Sequence, residues 1–168
     1  DFIDAQQNHI LRTKPNGTIK VASMTFDSPG VATALIYAAQ HGVSIECIFD
    51  SAVKENSALI QELVKAGVVV WLYNQNGDQK VFHRFRRLMH MKFLLRSDSN
   101  GFLSIVDTGN ITSASTSQIN YRQCFRDSDM FDQLNGVFAE LKQLDGMRQI
   151  ADHSLDKGSD ESDKAASI

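Results

Sequence analysis

Cysteine is nearly absent. Cys47 and Cys124 are the only two among 168 residues, which excludes a disulfide-stapled framework. Both fall in apolar stretches that read as strands, so both are expected to be small buried hydrophobes. A bridge between them requires those strands to be neighbours. No group of Cys and His has zinc-ligand spacing, and neither a metal nor a cofactor is expected. No apolar run approaches the roughly 20 residues that span a bilayer. No signal-peptide pattern is present, and because the chain starts at Asp1 rather than Met the compartment stays open. Positive charge is not in excess: the net charge is −3, so any attraction for phosphate must come from a local patch. No internal repeat is visible, so the chain carries one unit, not two fused copies.

What remains is the composition of a soluble globular protein, 42% hydrophobic and 22% charged with two prolines. The length suits one domain over residues 1–150. From 151 to 168 the chain turns polar and acidic and reads as a disordered tail. Residues 18–25 have strand character. Ser28-Pro29 then offers an N-cap followed by proline at the first helical position, and Val31, Ala32, Leu35, Ile36 and Ala39 follow at helical spacing until Gly42. A second strand over 43–49, a second helix with Leu59, Ile60, Leu63 and Val64 ending at Gly67, and a third strand over 68–73 complete a β-α-β-α-β order. That order predicts an α/β sandwich with a mixed, largely parallel central sheet flanked by helices. Residues 90–96 and 102–106 read as two strands joined by a loop over 97–101 with an Asn-Gly turn signal. Residues 120–126 read as another strand. A last helix over about 129–145 sets Met130, Leu134, Val137, Phe138, Leu141 and Leu144 on one stripe.

Chemistry concentrates in one stretch. With side chains alternating along 90–96, Met91, Phe93 and Leu95 point one way, into the core. His90, Lys92, Leu94 and Arg96 point the other. From Lys80 to Arg96 there are six Lys and Arg (Lys80, Arg84, Arg86, Arg87, Lys92, Arg96), with His83 and His90, and no acid. In an acidic chain that asymmetry suggests a phosphate-binding face, and Arg87 and Arg96 are candidate contacts. At the end of the following strand, Asp107-Thr108-Gly109-Asn110 can offer a hydroxyl, backbone N–H groups and an amide to a phosphate oxygen.

Together His90-Met91-Lys92 and Thr108-Gly109-Asn110 resemble the phospholipase D superfamily, whose signature is His-x-Lys, four residues, Asp, then a Gly-Ser-x-Asn loop. Thr-Gly-Asn also looks like the related loop of polyphosphate kinases. The resemblance covers most of the chain, from Ala38-Ala39, Gly42-Val43 and Phe49-Asp50 to Asn120 and the closing helix. The chain departs from the pattern in three places. Ser97 stands where the aspartate is expected, with Asp98 next. Asp107 replaces the loop's first glycine. Arg122 replaces a glutamate that helps hold the family's histidine, and a cation there would lower the histidine's proton affinity unless Asp98 or Asp107 takes over the orienting role.

The resemblance implies a metal-independent phosphodiesterase acting through a covalent phosphohistidine. His90, Lys92 and Asn110 would be catalytic, and Thr108, Arg96 and Arg87 would bind substrate. One His-x-Lys unit supplies one histidine, whereas the family uses two. A homodimer would complete the site, or a second phospholipase-D-like half; His83 is a poorer source. Nucleic acid, DNA or RNA, is favoured over phospholipid because Tyr73, Phe82 and Phe85 accompany the basic segment, although these aromatics equally suit a core. The alternatives are a catalytically impaired half that binds phosphate or pairs with an intact unit, and transfer to an acceptor other than water.

Overall fold

A computed structural model of the chain describes residues 2–50, 53–73, 91–112 and 120–153. The elements are α1 (Phe2–Leu11), β1 (Thr18–Ser23), α2 (Pro29–Gln40), β2 (Ser44–Asp50), α3 (Ala58–Lys65), β3 (Val69–Tyr73), β4 (Phe93–Asp98), β5 (Gly101–Asp107), β6 (Arg122–Phe125), α4 (Ser128–Lys142) and β7 (Met147–Gln149). The strands form one sheet in the order β6-β5-β4-β1-β2-β3-β7. Its mixed, helix-flanked α/β character is as the sequence predicts. The parallel part is confined to β1, β2 and β3; the other four pairings are antiparallel. The reason is connectivity. Helical crossovers join β1 to β2 to β3, whereas β4 and β5 share a two-residue turn, which can only join antiparallel strands.

The helix boundaries follow local chemistry. The Ser28 hydroxyl accepts from the Val31 N–H at 3.3 Å and Pro29 opens α2. Ser57 caps α3 through the Ile60 N–H, and Asp127 caps α4 through the Met130 N–H. Gly42 and Gly67 follow α2 and α3 at φ 86° and 92°, the left-handed conformation that stops a helix and that side chains resist.

Each sheet face has its own core. Ile19, Val21, Ile45, Phe49, Leu94 and Leu103 pack under α1, α2 and α3. Ile48, Tyr73, Phe93 and Leu95 pack under Phe131, Phe138 and Leu141 of α4. Tyr73 is thus a core residue, not a base contact. The α4 stripe packs through Leu134, Val137, Phe138 and Leu141 as expected and differs at its ends: Phe131 joins it rather than Met130, and Leu144, beyond the helix end at Lys142, is exposed. Cys47 is buried on β2, but Cys124 is exposed on β6. Three strands lie between β6 and β2, so both thiols are free. Two elements lack a sequence expectation. α1 buries Ile3, Gln6 and Ile10, a stripe too short to stand out, and β7 covers the edge of β3. No helix among the described residues is long and apolar enough to cross a membrane. The expected tail, except 151–153, lies outside the described residues.

Candidate active site

The carboxyl ends of β1, β2 and β3 bring Ser23, Asp50 and Tyr73 to one end of the sheet. The antiparallel register brings the start of β4, the end of β5 and the start of β6 to that same end. Open α/β sheets bind ligands at this end.

Lys92 stands one residue before β4. The Asp107 N–H donates to its carbonyl at 3.0 Å, so the ladder continues one step and sets Lys92 opposite Asp107. Asp107 is in turn paired with Arg122. Lys92, Asp107 and Arg122 therefore form one cross-strand row, neighbours roughly 5 Å apart, on the face covered by α1. Lys92 is 7% exposed, and burial pulls its ammonium below the ordinary lysine range. A buried ammonium gains most from an anion, which would restore its proton affinity.

Asp107 is held from two sides. Its Oδ1 accepts from Arg122 Nε at 2.7 Å, and its Oδ2 accepts from Gln6 Nε2 of α1 at 2.7 Å. The side chains of Asp107 and Arg122 are 2% and 15% exposed. Burial raises the proton affinity of the carboxyl, and the bonds from Arg122 and Gln6 oppose it. The two departures from the family pattern, an acid at 107 and a cation at 122, thus meet and neutralise each other. Asp98 plays no part here. It lies at the opposite end of β4, accepting the N–H groups of Lys14 and Asn100.

The Thr108-Gly109-Asn110 loop is clamped on both flanks. The Thr108 hydroxyl accepts from the Tyr121 N–H at 2.8 Å, and the Thr108 N–H donates to the Tyr121 carbonyl. A Cβ on Gly109 would lie 2.6 Å from Asn120 Oδ1, so a larger residue would have to push that side chain aside. On the other flank Asp27 N–H donates to the Ile111 carbonyl, and the Ile111 N–H reaches the Ser23 hydroxyl at 3.5 Å. Asn110 sits between these clamps. Its Oδ1 is buried with no hydrogen-bond partner among the described residues, an amide with unspent bonding capacity.

Of the residues singled out in the sequence, the fold gathers Lys92 and Asn110 at this end. Thr108 is there too, exposed, with its hydroxyl accepting from the Tyr121 N–H. Arg96 is corrected. It shares the face of Lys92 as the alternation predicts, yet it is 9% exposed and its Nη1 donates to the His9 carbonyl. It pins α1 to the sheet four residues away, instead of joining an open phosphate face. Met91, expected in the core, is 38% exposed, because β4 begins only at Phe93. His90, Arg87, His83, Phe82 and Phe85 lie outside the described residues.

Sequence reasoning missed Gln6 and His9. The signal was Ile3, Gln6 and Ile10 at spacings of three and four, the mark of a helix with one polar residue turned inward.

Residues 9–142 match the family described as "Cardiolipin synthase, PLD-like domain". No curated protein is significantly similar in sequence. In fold the chain is similar to Nuc from Salmonella typhimurium, a phospholipase D family member (15% identity, 87% of this chain and 88% of that one, TM-score 0.65). It is also similar to NucT from Helicobacter pylori (15%, 82% and 85%, 0.65). A polyphosphate kinase from Porphyromonas gingivalis matches over 84% of this chain and 24% of that one (12%, 0.62).

Proposed function

Because the chain belongs to the phospholipase-D-like domain family, we propose that it is a phosphodiesterase acting through a covalent phosphohistidine, with nucleic acid favoured as substrate. The observation that carries this reading is the convergence at one sheet end of a buried, partly desolvated ammonium, Lys92, and the amide of Asn110, whose Nδ2 is a donor, in a loop held on both flanks. Both are suited to the non-bridging oxygens of a diester, which is anionic and resists attack until its charge is matched.

In this reading the neutral imidazole of His90 attacks phosphorus. The P–O bond to the leaving alcohol breaks, and a second, protonated histidine delivers a proton to the departing oxygen. That histidine, now neutral, takes a proton from water, whose oxygen displaces His90 from phosphorus. The second imidazole comes from His90 of another copy across a two-fold axis. No step needs a metal. The pairing of Arg122 with Asp107 supports an intact site over the impaired alternative.

The test is release of nitrophenol from bis-p-nitrophenyl phosphate in EDTA. His90→Ala and Lys92→Met should each lose at least about a hundredfold. Equal release from wild type and His90→Ala would end the proposal, and activity from a strictly monomeric species would remove the shared site. Because Lys92 must be charged, kcat/KM should fall at an alkaline pH below that of an ordinary lysine. An oligonucleotide and a phosphatidyl lipid, compared as substrates, separate the two diester classes.

A further inference from the structure

At the end of the sheet opposite Lys92 and Asn110 lies a cavity of about 450 Å³, with Leu11, Arg12, Lys14, Tyr37, His41 and Asn100 in its lining. Its walls are pinned to one another. The Lys14 and Asn100 N–H groups both donate to the Asp98 carboxylate, at 3.0 and 2.8 Å, and the Asn16 N–H donates to the Gly42 carbonyl at 2.9 Å. The segment after α1 is thereby tied to the β4–β5 turn and to the end of α2, so the cavity exists before any ligand arrives. Part of the wall is aromatic. Tyr37 and His41, one helical turn apart, stack with centroids 3.9 Å apart and planes 24° apart, yet Tyr37 is 48% exposed. His41 Nδ1 lies 2.7 Å from the Tyr37 carbonyl, which can only accept, so the proton of the neutral ring belongs there and Nε2 is left for another partner. Part is cationic. Among the described residues neither Arg12 nor Lys14 forms an ion pair. Nor does either side chain have a helix end to close. The carbonyls of Tyr37, Ala38 and Ala39 are taken by the N–H groups of His41, Val43 and Gly42, and that of His9 by Thr13 and Arg96.

We propose that this cavity binds a nucleoside monophosphate, at a site separate from the phosphodiesterase chemistry. An exposed aromatic pair offers a stacking surface to a flat ring, and Leu11, 45% exposed, adds apolar surface to the same cavity. Two cations one residue apart, with the Asn100 amide beside them, match a phosphate monoester, which carries about −1.5 to −2 charges at pH 7. Arg12 can grip it with a two-pronged contact and Lys14 as a point charge. A carboxylate would leave one cation unanswered. The volume falls within the range of about 300–1,000 Å³ of small-molecule sites and suits one nucleotide rather than a strand. Lys92 and Asp98 are separated by roughly 20 Å along β4, so a nucleotide held here is not a product lodged at the candidate active site. Nothing in this site depends on His90 or on a second copy of the chain.

The experiment titrates the 168-residue chain calorimetrically with AMP, and in parallel with adenosine, ribose 5-phosphate and inorganic phosphate. AMP should bind with a Kd below about 1 mM, and each of the three fragments at least about tenfold more weakly. Arg12→Gln combined with Lys14→Gln, and separately Tyr37→Ala, should each weaken AMP about tenfold, while Lys92→Met leaves its binding unchanged. Arg12, Lys14 and Tyr37 are all exposed, so these variants should keep the urea midpoint of the wild type. AMP should also move the His41 ring-proton resonances of the unsubstituted chain, a ring-current shift that requires no change of sequence and so stands apart from any misfolding. No binding of AMP to the wild type, binding kept in both variants, or inorganic phosphate bound as tightly as AMP would overturn the site. So would His41 resonances indifferent to AMP, or loss of binding in Lys92→Met, which would put the nucleotide at the candidate active site instead. If wild type releases no nitrophenol while AMP binds as stated, the phosphodiesterase reading falls and this site stands.

Discussion

Replacing Arg122 with methionine leaves the Asp107 carboxylate buried with Gln6 as its remaining side-chain donor among the described residues. The Asp107 side chain is 2% exposed, so water cannot replace the lost guanidinium. Removing one partner of such a pair costs about 3 kcal/mol. For a chain of this length that lowers Tm by roughly 10 °C. The loss should depend on pH. Without Arg122, burial raises the folded-state proton affinity of Asp107 further above its unfolded value. A carboxyl so raised contributes stability at acid pH that is lost as pH rises through the folded value. The deficit against wild type is therefore smallest near about pH 4 and full by about pH 7. Asp107→Leu should also destabilise, but the double variant Asp107→Leu, Arg122→Met should recover much of the loss, because no uncompensated charge remains. Urea unfolding of the four proteins at both pH values measures the coupling. Additive single effects under about 1 kcal/mol would mean the pair behaves as an exposed ion pair, and the account of the row would be wrong.

Two further outcomes are expected. Gly109→Ala should destabilise by about 1–3 kcal/mol and reduce diesterase turnover, with partial rescue by Asn120→Ala, which removes the atoms the new methyl would strike; rescue failing in both readouts would place the strain elsewhere. In the native protein Cys124 should react with a thiol reagent while Cys47, buried with its thiol far above the ordinary range, reacts only on unfolding; two fast thiols would contradict the sheet order.

The chain by itself determined the elements whose signals are local. Ser28-Pro29, Gly42 and Gly67 bound the helices because caps and left-handed turns are properties of a few consecutive residues. The alternation along 91–96 correctly sorted Lys92, Leu94 and Arg96 from Phe93 and Leu95, because strand geometry has a period of two. Alternation could not say what covers each face. Arg96 reads as a phosphate ligand until α1 lies over it and takes its guanidinium. The bond from the Tyr121 N–H to the Thr108 hydroxyl likewise needs the start of β6 beside the loop, which no local pattern announces. Cys124 reads as buried because an edge strand and a central strand share the same apolar alphabet, and only sheet order tells them apart. The pairing of Asp107 with Arg122, fifteen residues apart, is the largest such case. In sequence they are two separate departures from a family pattern, one an added acid and one a cation in place of an acid. In the folded sheet they face each other across one rung of a ladder, where the charge of each is answered by the other.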